Sequence, residues 1–193
     1  MLDNLKNYKI ILASGSPRRK DLLSGLGLDY EIRLLPGIDE SFPESLVGED
    51  IPLYIANEKA DAYLPSLQEK ELLITADTIV WLDGSVLGKP SDKGQAIEML
   101  QRLSGKKHQV ITGVCLTTTE FRHSFATVTE VTFDTLTDDE IRYYVENYLP
   151  LDKAGAYGIQ EWIGFIGVKS INGSYFNVMG LPIQRLYKEL SKL

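Results

Sequence analysis

The sequence predicts an α/β fold, on three observations. Apolar residues at helical spacing alternate with short β-branched runs along the whole chain. No repeat, low-complexity tract or long linker interrupts that alternation. The 193 residues are 44% apolar and 24% charged, an ordinary globular composition. Such a length suffices for one domain with a full core, or for two small lobes around a cleft.

The elements follow in order. Lys9-Ile10-Ile11-Leu12-Ala13 reads as a short buried strand, and Ser14-Gly15-Ser16 turns the chain. Pro17 suits a first helical position, where its missing N–H would have no partner anyway. Leu22, Leu23 and Leu26 give that helix an apolar face, and Gly27 is a stop signal. Residues 30–35 read as a second strand. Residues 52–63 form a helix opened by Pro52, with Ile55, Ala56, Lys59, Ala60 and Tyr63 on one stripe. Residues 72–75 and 78–82 are strand-like on either side of Ala76-Asp77, and Asp83-Gly84-Ser85 signals a tight turn. Asp92 caps a helix whose Ala96, Ile97, Leu100 and Leu103 share a face. Residues 108–118 and 124–135, rich in Val, Ile, Thr and Phe, read as a strand pair. Thr137-Asp138-Asp139-Glu140 has the form of a capping box before Ile141, Tyr144, Val145 and Tyr148. Asn172-Gly173 suits a hairpin turn between two late strands. A last helix starts near Pro182, with Ile183, Leu186, Tyr187 and Leu190 inward.

The net charge of -7 argues against broad contact with nucleic acid or an anionic membrane, but leaves room for a small basic pocket. One cysteine, Cys115, permits no intrachain disulfide and fits a reducing compartment, so a cytoplasmic location is expected. No signal peptide or membrane span is recognisable. Ser191-Lys192-Leu193 has the form of a peroxisomal address, and reads more simply as the end of an amphipathic helix.

Several chemistries are excluded or weakened. There is no H-E-x-x-H zinc motif, no G-x-S-x-G elbow, no P-loop and no G-x-G-x-x-G fingerprint. His108 and His123, the two histidines, are expected to be structural.

Four positive signals remain. In Ala13-Ser14-Gly15-Ser16-Pro17-Arg18-Arg19-Lys20 a strand gives way to a helix N-terminus, whose unpaired N–H groups favour an anion. Ser14 and Ser16 add hydroxyl donors, and Arg18 and Arg19 add guanidinium forks that match phosphate oxygens. Adjacent helical arginines point about 100° apart, so the pair is not expected to face one phosphate together. Cations at a helix N-terminus oppose the macrodipole, and three in a row suggest an anionic ligand. The bland alternative is a capped helix with a solvated basic first turn. In Thr75-Ala76-Asp77-Thr78 a carboxylate follows an apolar run, placed to hold Mg²⁺ or Mn²⁺, to take a proton from water, or to bond a local turn. Lys59 falls inside an apolar stripe, where a charge needs a partner, and Lys89-Pro90 sits in a loop after a strand. Each lysine could counter a phosphate, and each has an ordinary surface role as its alternative. In residues 152–160 small residues allow close backbone approach, and Gln160 offers both donor and acceptor to a base edge.

These segments together resemble the Maf family of nucleotide pyrophosphatases. The likeness runs from ILASGSPRRKDLL at 11–23 through ANEKA at 56–60, TADTIV at 75–80, GKP at 88–90, HQVITGV at 108–114 and LDKAGAYGIQ at 151–160 to GSYFNVMGLPI at 173–183. The resemblance implies one domain over residues 1–193, with a mixed, curved central sheet, flanking helices and a cleft between two lobes, like inosine triphosphate pyrophosphatases. It implies hydrolysis of a nucleoside triphosphate to monophosphate and pyrophosphate with a divalent cation, Mg²⁺ or Mn²⁺. Asp77 matches the proton acceptor. Ser14, Arg18, Arg19, Lys59 and Lys89 match the phosphate end. Glu40 is the candidate metal partner of Asp77, with Asp39 as its alternative. Arg18, Thr78 and Gln160 match the branch that acts on dTTP and UTP, whether as canonical substrates or in house-cleaning of modified pyrimidine nucleotides. The expected partner is therefore a nucleoside triphosphate, with no nucleic acid and no membrane, and a homodimer is admitted. The rival from another class is a nucleotide-binding regulator of septum formation.

Overall fold

The computed structural model describes residues 2–193. Seven strands form a mixed sheet. They are β1 (Lys9–Leu12), β2 (Tyr30–Ile32), β3 (Glu71–Leu82), β4 (Ser85–Leu87), β5 (Lys107–Thr117), β6 (Arg122–Phe133) and β7 (Val168–Asn172). Their order is β2-β1-β3-β5-β6-β7, with β4 on β3. The helices are α1 (Pro17–Ser24), α2 (Asp50–Tyr63), α3 (Lys93–Leu103), α4 (Asp138–Tyr148), α5 (Trp162–Gly167), α6 (Tyr175–Met179) and α7 (Ile183–Leu190), with short 3₁₀ turns between some of them. Among the described residues, no helix is long and apolar enough to cross a membrane. The chain divides into two compact units, one of Met1–Asp77, Thr112–Thr127 and Gly180–Leu193, the other of Thr78–Ile111 and Val128–Met179.

In the first unit β1 lies parallel to both β2 and β3, with Ile10 opposite Tyr30 and Leu72, and Leu12 opposite Ile32 and Ile74. Side chains alternate faces along a strand, which explains why Ile10-Ile11-Leu12 is apolar without a break. Ile10, Leu12, Leu72 and Ile74 bury on one face with Leu23 of α1 and Leu186 and Leu190 of α7. Ile11 and Leu73 bury on the other with Ala56, Ala60 and Tyr63 of α2. Helices cover both faces here, so Ile10, Ile11 and Leu12 are all apolar. At the start of α2 the backbone of Pro52 lies against Gly113, where a Cβ would fall 2.4 Å from the Pro52 carbonyl carbon. Only glycine fits there.

In the second unit the turn at Asp83-Gly84 has both residues at positive φ, 50° and 78°. This is the geometry that folds β4 back on β3, with Val80 opposite Leu87 and Leu82 opposite Ser85. Asp92 caps α3 by accepting from Gln95 N at 2.9 Å. Thr137 and Glu140 form a reciprocal capping box on α4. The apolar faces of these helices meet Val80, Val110, Val131 and Phe133 in one core.

Three sequence expectations are corrected. Ala76-Asp77 does not separate two strands, since β3 runs unbroken for 12 residues. The second strand stops at Ile32, because the Tyr63 hydroxyl takes over the backbone beyond it, donating to Arg33 O at 2.8 Å and accepting from Leu35 N at 3.0 Å. Asn172-Gly173 makes no hairpin. Gly173, at φ +132°, carries the chain out of β7 toward α6, pressed so close to Thr129 that a Cβ would meet its Oγ1 at 2.8 Å.

Candidate active site

β1 ends opposite Ile74, so its pairing with β3 stops short of Ala76 and Asp77. The Ala76 carbonyl instead accepts from Arg19 Nη1 at 2.9 Å and from Lys59 Nζ at 3.4 Å. Asp77 is buried, 9% exposed, and its Oδ1 lies 2.9 Å from Lys59 Nζ. The same ammonium is 2.8 Å from Glu40 Oε1. Lys59 reaches this place because α2 turns its Lys59 face, with Ile55, Ala56, Ala60 and Tyr63, into the unit. A charge in an apolar stripe is costly without partners, and here it has two carboxylates and a carbonyl.

Arg19 is used differently from the sequence expectation of a phosphate fork. Its Nε donates to Gly180 O at 2.8 Å, and its Nη1 reaches Ala76 O and, at 3.5 Å, Ser14 Oγ. Burial lowers its pKa, and the nearby Asp77 and Glu40 carboxylates oppose that shift. Arg19 thus braces α1 against β3 and the segment entering α7, and supplies positive potential beside the two acids. Ser14 is buried at the end of this chain of contacts, its Oγ accepting also from Ser16 N at 3.3 Å. Arg18, half-buried, follows Ser16 and Pro17 in the first turn of α1. The alternative acid is accounted for elsewhere. Asp39 is exposed and accepts from Ser41 N at 2.8 Å and Ser41 Oγ at 2.7 Å, a local turn. The first unit therefore gathers Ser14, Arg19, Glu40, Lys59 and Asp77. The carbonyls of Ala76 and Gly180 were missed in the sequence, because a backbone acceptor has no signature there.

Glu40 and Asp77 converge on one ammonium, that of Lys59. Among the described residues, no group of three or more His, Cys, Asp or Glu side chains could hold a metal. Two carboxylates suit Mg²⁺ or Mn²⁺ completed by water and phosphate oxygens, and do not suit a fully protein-caged ion.

The second unit holds Thr78, Lys89 and Gln160. Thr78 is half-buried on β3 and Lys89 is exposed in the loop after β4. That loop meets the segment carrying Gln160, with Gly155 N donating to Gly88 O at 3.0 Å. Gly155, at φ +68°, presses on Val80, where a Cβ would fall 2.8 Å from a Val80 methyl. Gln160 folds over Gly158, its Oε1 covered and without a hydrogen-bond donor among the described residues.

Neither histidine joins these groups. His108 is buried, its Nε2 2.7 Å from the Tyr157 hydroxyl, and burial pushes its pKa down to about 4. His123 Nε2 lies 3.1 Å from Glu189 Oε2.

A protein of Bacteroides thetaiotaomicron named dTTP/UTP pyrophosphatase is 66% identical over 193 residues, 100% of both chains. One of Phocaeicola vulgatus with the same name is 67% identical over the same span, 100% of both chains. The solved Ham1 protein of Staphylococcus aureus is 18% identical with a TM-score of 0.49, over 94% of this chain and 99% of that one. The profile described as Maf-like protein matches residues 9–193. The chain belongs to the Maf-like protein family.

Proposed function

We propose that this chain is a nucleoside triphosphate pyrophosphatase that hydrolyses dTTP and UTP to the monophosphate and pyrophosphate. The carrying observation is the pairing of Lys59 with both Glu40 and Asp77, at 2.8 and 2.9 Å. In it two acids meet one ammonium directly. Full-length identity of 66–67% to relatives bearing that name supports the substrate class.

In this reading Glu40 and Asp77 would hold Mg²⁺ or Mn²⁺, an ion that would neutralise charge on the triphosphate. Asp77 orients the attacking water and accepts its proton as the new bond to the α-phosphorus forms and pyrophosphate leaves. Arg18, Lys59 and Lys89 counter the phosphate charge, and the serine-rich turn at Ser14 offers donors at a helix N-terminus. Gln160 reads the base. Its Oε1 lacks a protein donor, and thymine and uracil present an N3–H where cytosine presents a bare nitrogen. An unmatched buried edge costs about 1–3 kcal/mol, so CTP and ATP, whose ring nitrogen at that edge is bare, are disfavoured.

The test is kcat/KM for dTTP, UTP, CTP, GTP and 7-methyl-GTP with Mg²⁺ or Mn²⁺, detecting pyrophosphate, on wild type and Asp77→Asn. We expect dTTP and UTP to lead, and turnover to vanish in a folded Asp77→Asn protein. Near-wild-type turnover by that variant, or a lead for 7-methyl-GTP, would refute the assignment concerned.

A further inference from the structure

The turn that carries Gln160 is held by a polar network that the hydrolysis itself does not use. Tyr144 of α4 is wholly buried. Its hydroxyl donates to Glu161 Oε2 and accepts from Gly158 N at 3.0 Å. Glu161 Oε1 lies 3.1 Å from Lys153 Nζ, which also meets Asp152 Oδ1 at 2.8 Å. Lys153 is only 8% exposed, and an ammonium there is tolerable only because both carboxylates meet it. Gly158 is the centre of the arrangement. A Cβ on it would fall 2.9 Å from Glu161 Cδ, 3.0 Å from Gln160 Nε2 and 3.0 Å from Lys153 Cε. The Gln160 amide therefore rests on the same backbone point that Tyr144 grips by its N–H and that Glu161 and Lys153 flank.

Stability alone does not account for these residue types. A buried ion pair is often matched or exceeded by apolar side chains of the same volume, whereas a hydrogen-bonded network fixes one geometry. A phenol hydroxyl has one hydrogen to donate. With that hydrogen on Glu161, its lone pair is aimed at Gly158 N–H, so the network specifies both ends of the contact. An amide that must answer a donor and an acceptor on a base needs its backbone held within a fraction of an ångström.

We propose that Tyr144, Glu161 and Lys153 are positioning residues that set where Gln160 rests and how far it turns, and thereby set discrimination among pyrimidine bases, a role that rests on Gln160 being the base reader proposed above. The experiment measures kcat/KM for dTTP, UTP and CTP on the full chain, with melting curves in parallel. The proteins are wild type, Gln160→Ala, Tyr144→Phe and Glu161→Gln. We expect the dTTP-to-CTP ratio to fall about tenfold or more in Gln160→Ala and severalfold in the two network variants. If Gln160→Ala lowers the ratio while both network variants keep the wild-type ratio, or lower all three substrates in parallel, the positioning role is overturned. If the wild type shows no preference or Gln160→Ala leaves it intact, the base-reader assignment fails first and the positioning role falls with it. Should Tyr144→Phe fail to fold, Glu161→Gln and Lys153→Met decide the matter in the same assay.

Discussion

Lys59→Met isolates the ammonium at the centre of the candidate site. Methionine keeps the apolar stem on the α2 stripe and removes only the charge. In the native protein Lys59 Nζ is 2.9 Å from Asp77 Oδ1 and 2.8 Å from Glu40 Oε1, with side-chain exposures of 12% and 46% for the two acids. Removing one partner of a buried pair costs about 3–5 kcal/mol, because the other charge is left without compensation. Two features lower that figure here. Glu40 is exposed enough to be rehydrated, and the positive field of Arg19 still acts on Asp77. A loss of about 2–3 kcal/mol remains, or ~4–12 °C in melting temperature for a chain of this size. The variant also leaves two carboxylates without their shared cation. Mn²⁺ added without nucleotide should therefore raise the melting temperature of Lys59→Met more than that of wild type, since a ligand that binds the folded state stabilises it by mass action. The assay is thermal unfolding with and without Mn²⁺, followed by calorimetric titration of the same samples. A variant that melts within about 1 °C of wild type and responds to Mn²⁺ no more strongly would refute the view that Lys59 holds the two acids together.

Adjacent arginines should separate by role. Arg19→Ala deprives the Gly180 and Ala76 carbonyls of donors at 2.8 and 2.9 Å, so urea unfolding should show a loss of about 2 kcal/mol or more. Arg18→Ala should change stability by no more than about 0.5 kcal/mol yet lose the stabilisation given by added dTTP; equal losses in the two variants would contradict this division. Acid should unfold the first unit through Glu71, whose carboxylate receives Arg33 Nη1 at 2.9 Å and Nη2 at 2.6 Å. Those bonds hold its pKa down, from the usual 4.5 to about 2. A depressed folded-state value means the stabilisation is fully present above about pH 4.5 and disappears as pH falls toward 2; it is worth at most about 3 kcal/mol. Glu71→Gln should be less stable than wild type at pH 7, and the two stability curves should converge near pH 2. A constant gap across that range would assign the acid loss to other groups.

What the sequence determined by itself was whatever depends on neighbours in the chain. The Asp92 cap, the Thr137–Glu140 capping box and the Asp83-Gly84 turn are each satisfied within three residues, and the structure shows all of them. The apolar stripes of α2 and α7 were visible because burial imposes a helical period. Lys59 was singled out for the same reason, as a charge inside such a stripe. The tertiary structure decided what depends on residues far apart in sequence. That Lys59 meets Glu40 rather than Asp39 follows from Asp39 being used by Ser41. That Arg19 braces rather than waits for a ligand follows from two carbonyls, of residues 76 and 180, which no pattern of side chains announces. Ala76-Asp77 looked like a break between strands because its small and charged residues suit a turn. It stays within β3, which runs unbroken through both residues. Asn172-Gly173 looked like a hairpin turn, and became an exit from β7 into α6, at a point where Thr129 lies too close to Gly173 for any side chain. The chemistry of each group was legible in the sequence, whereas its partner had to come from the fold.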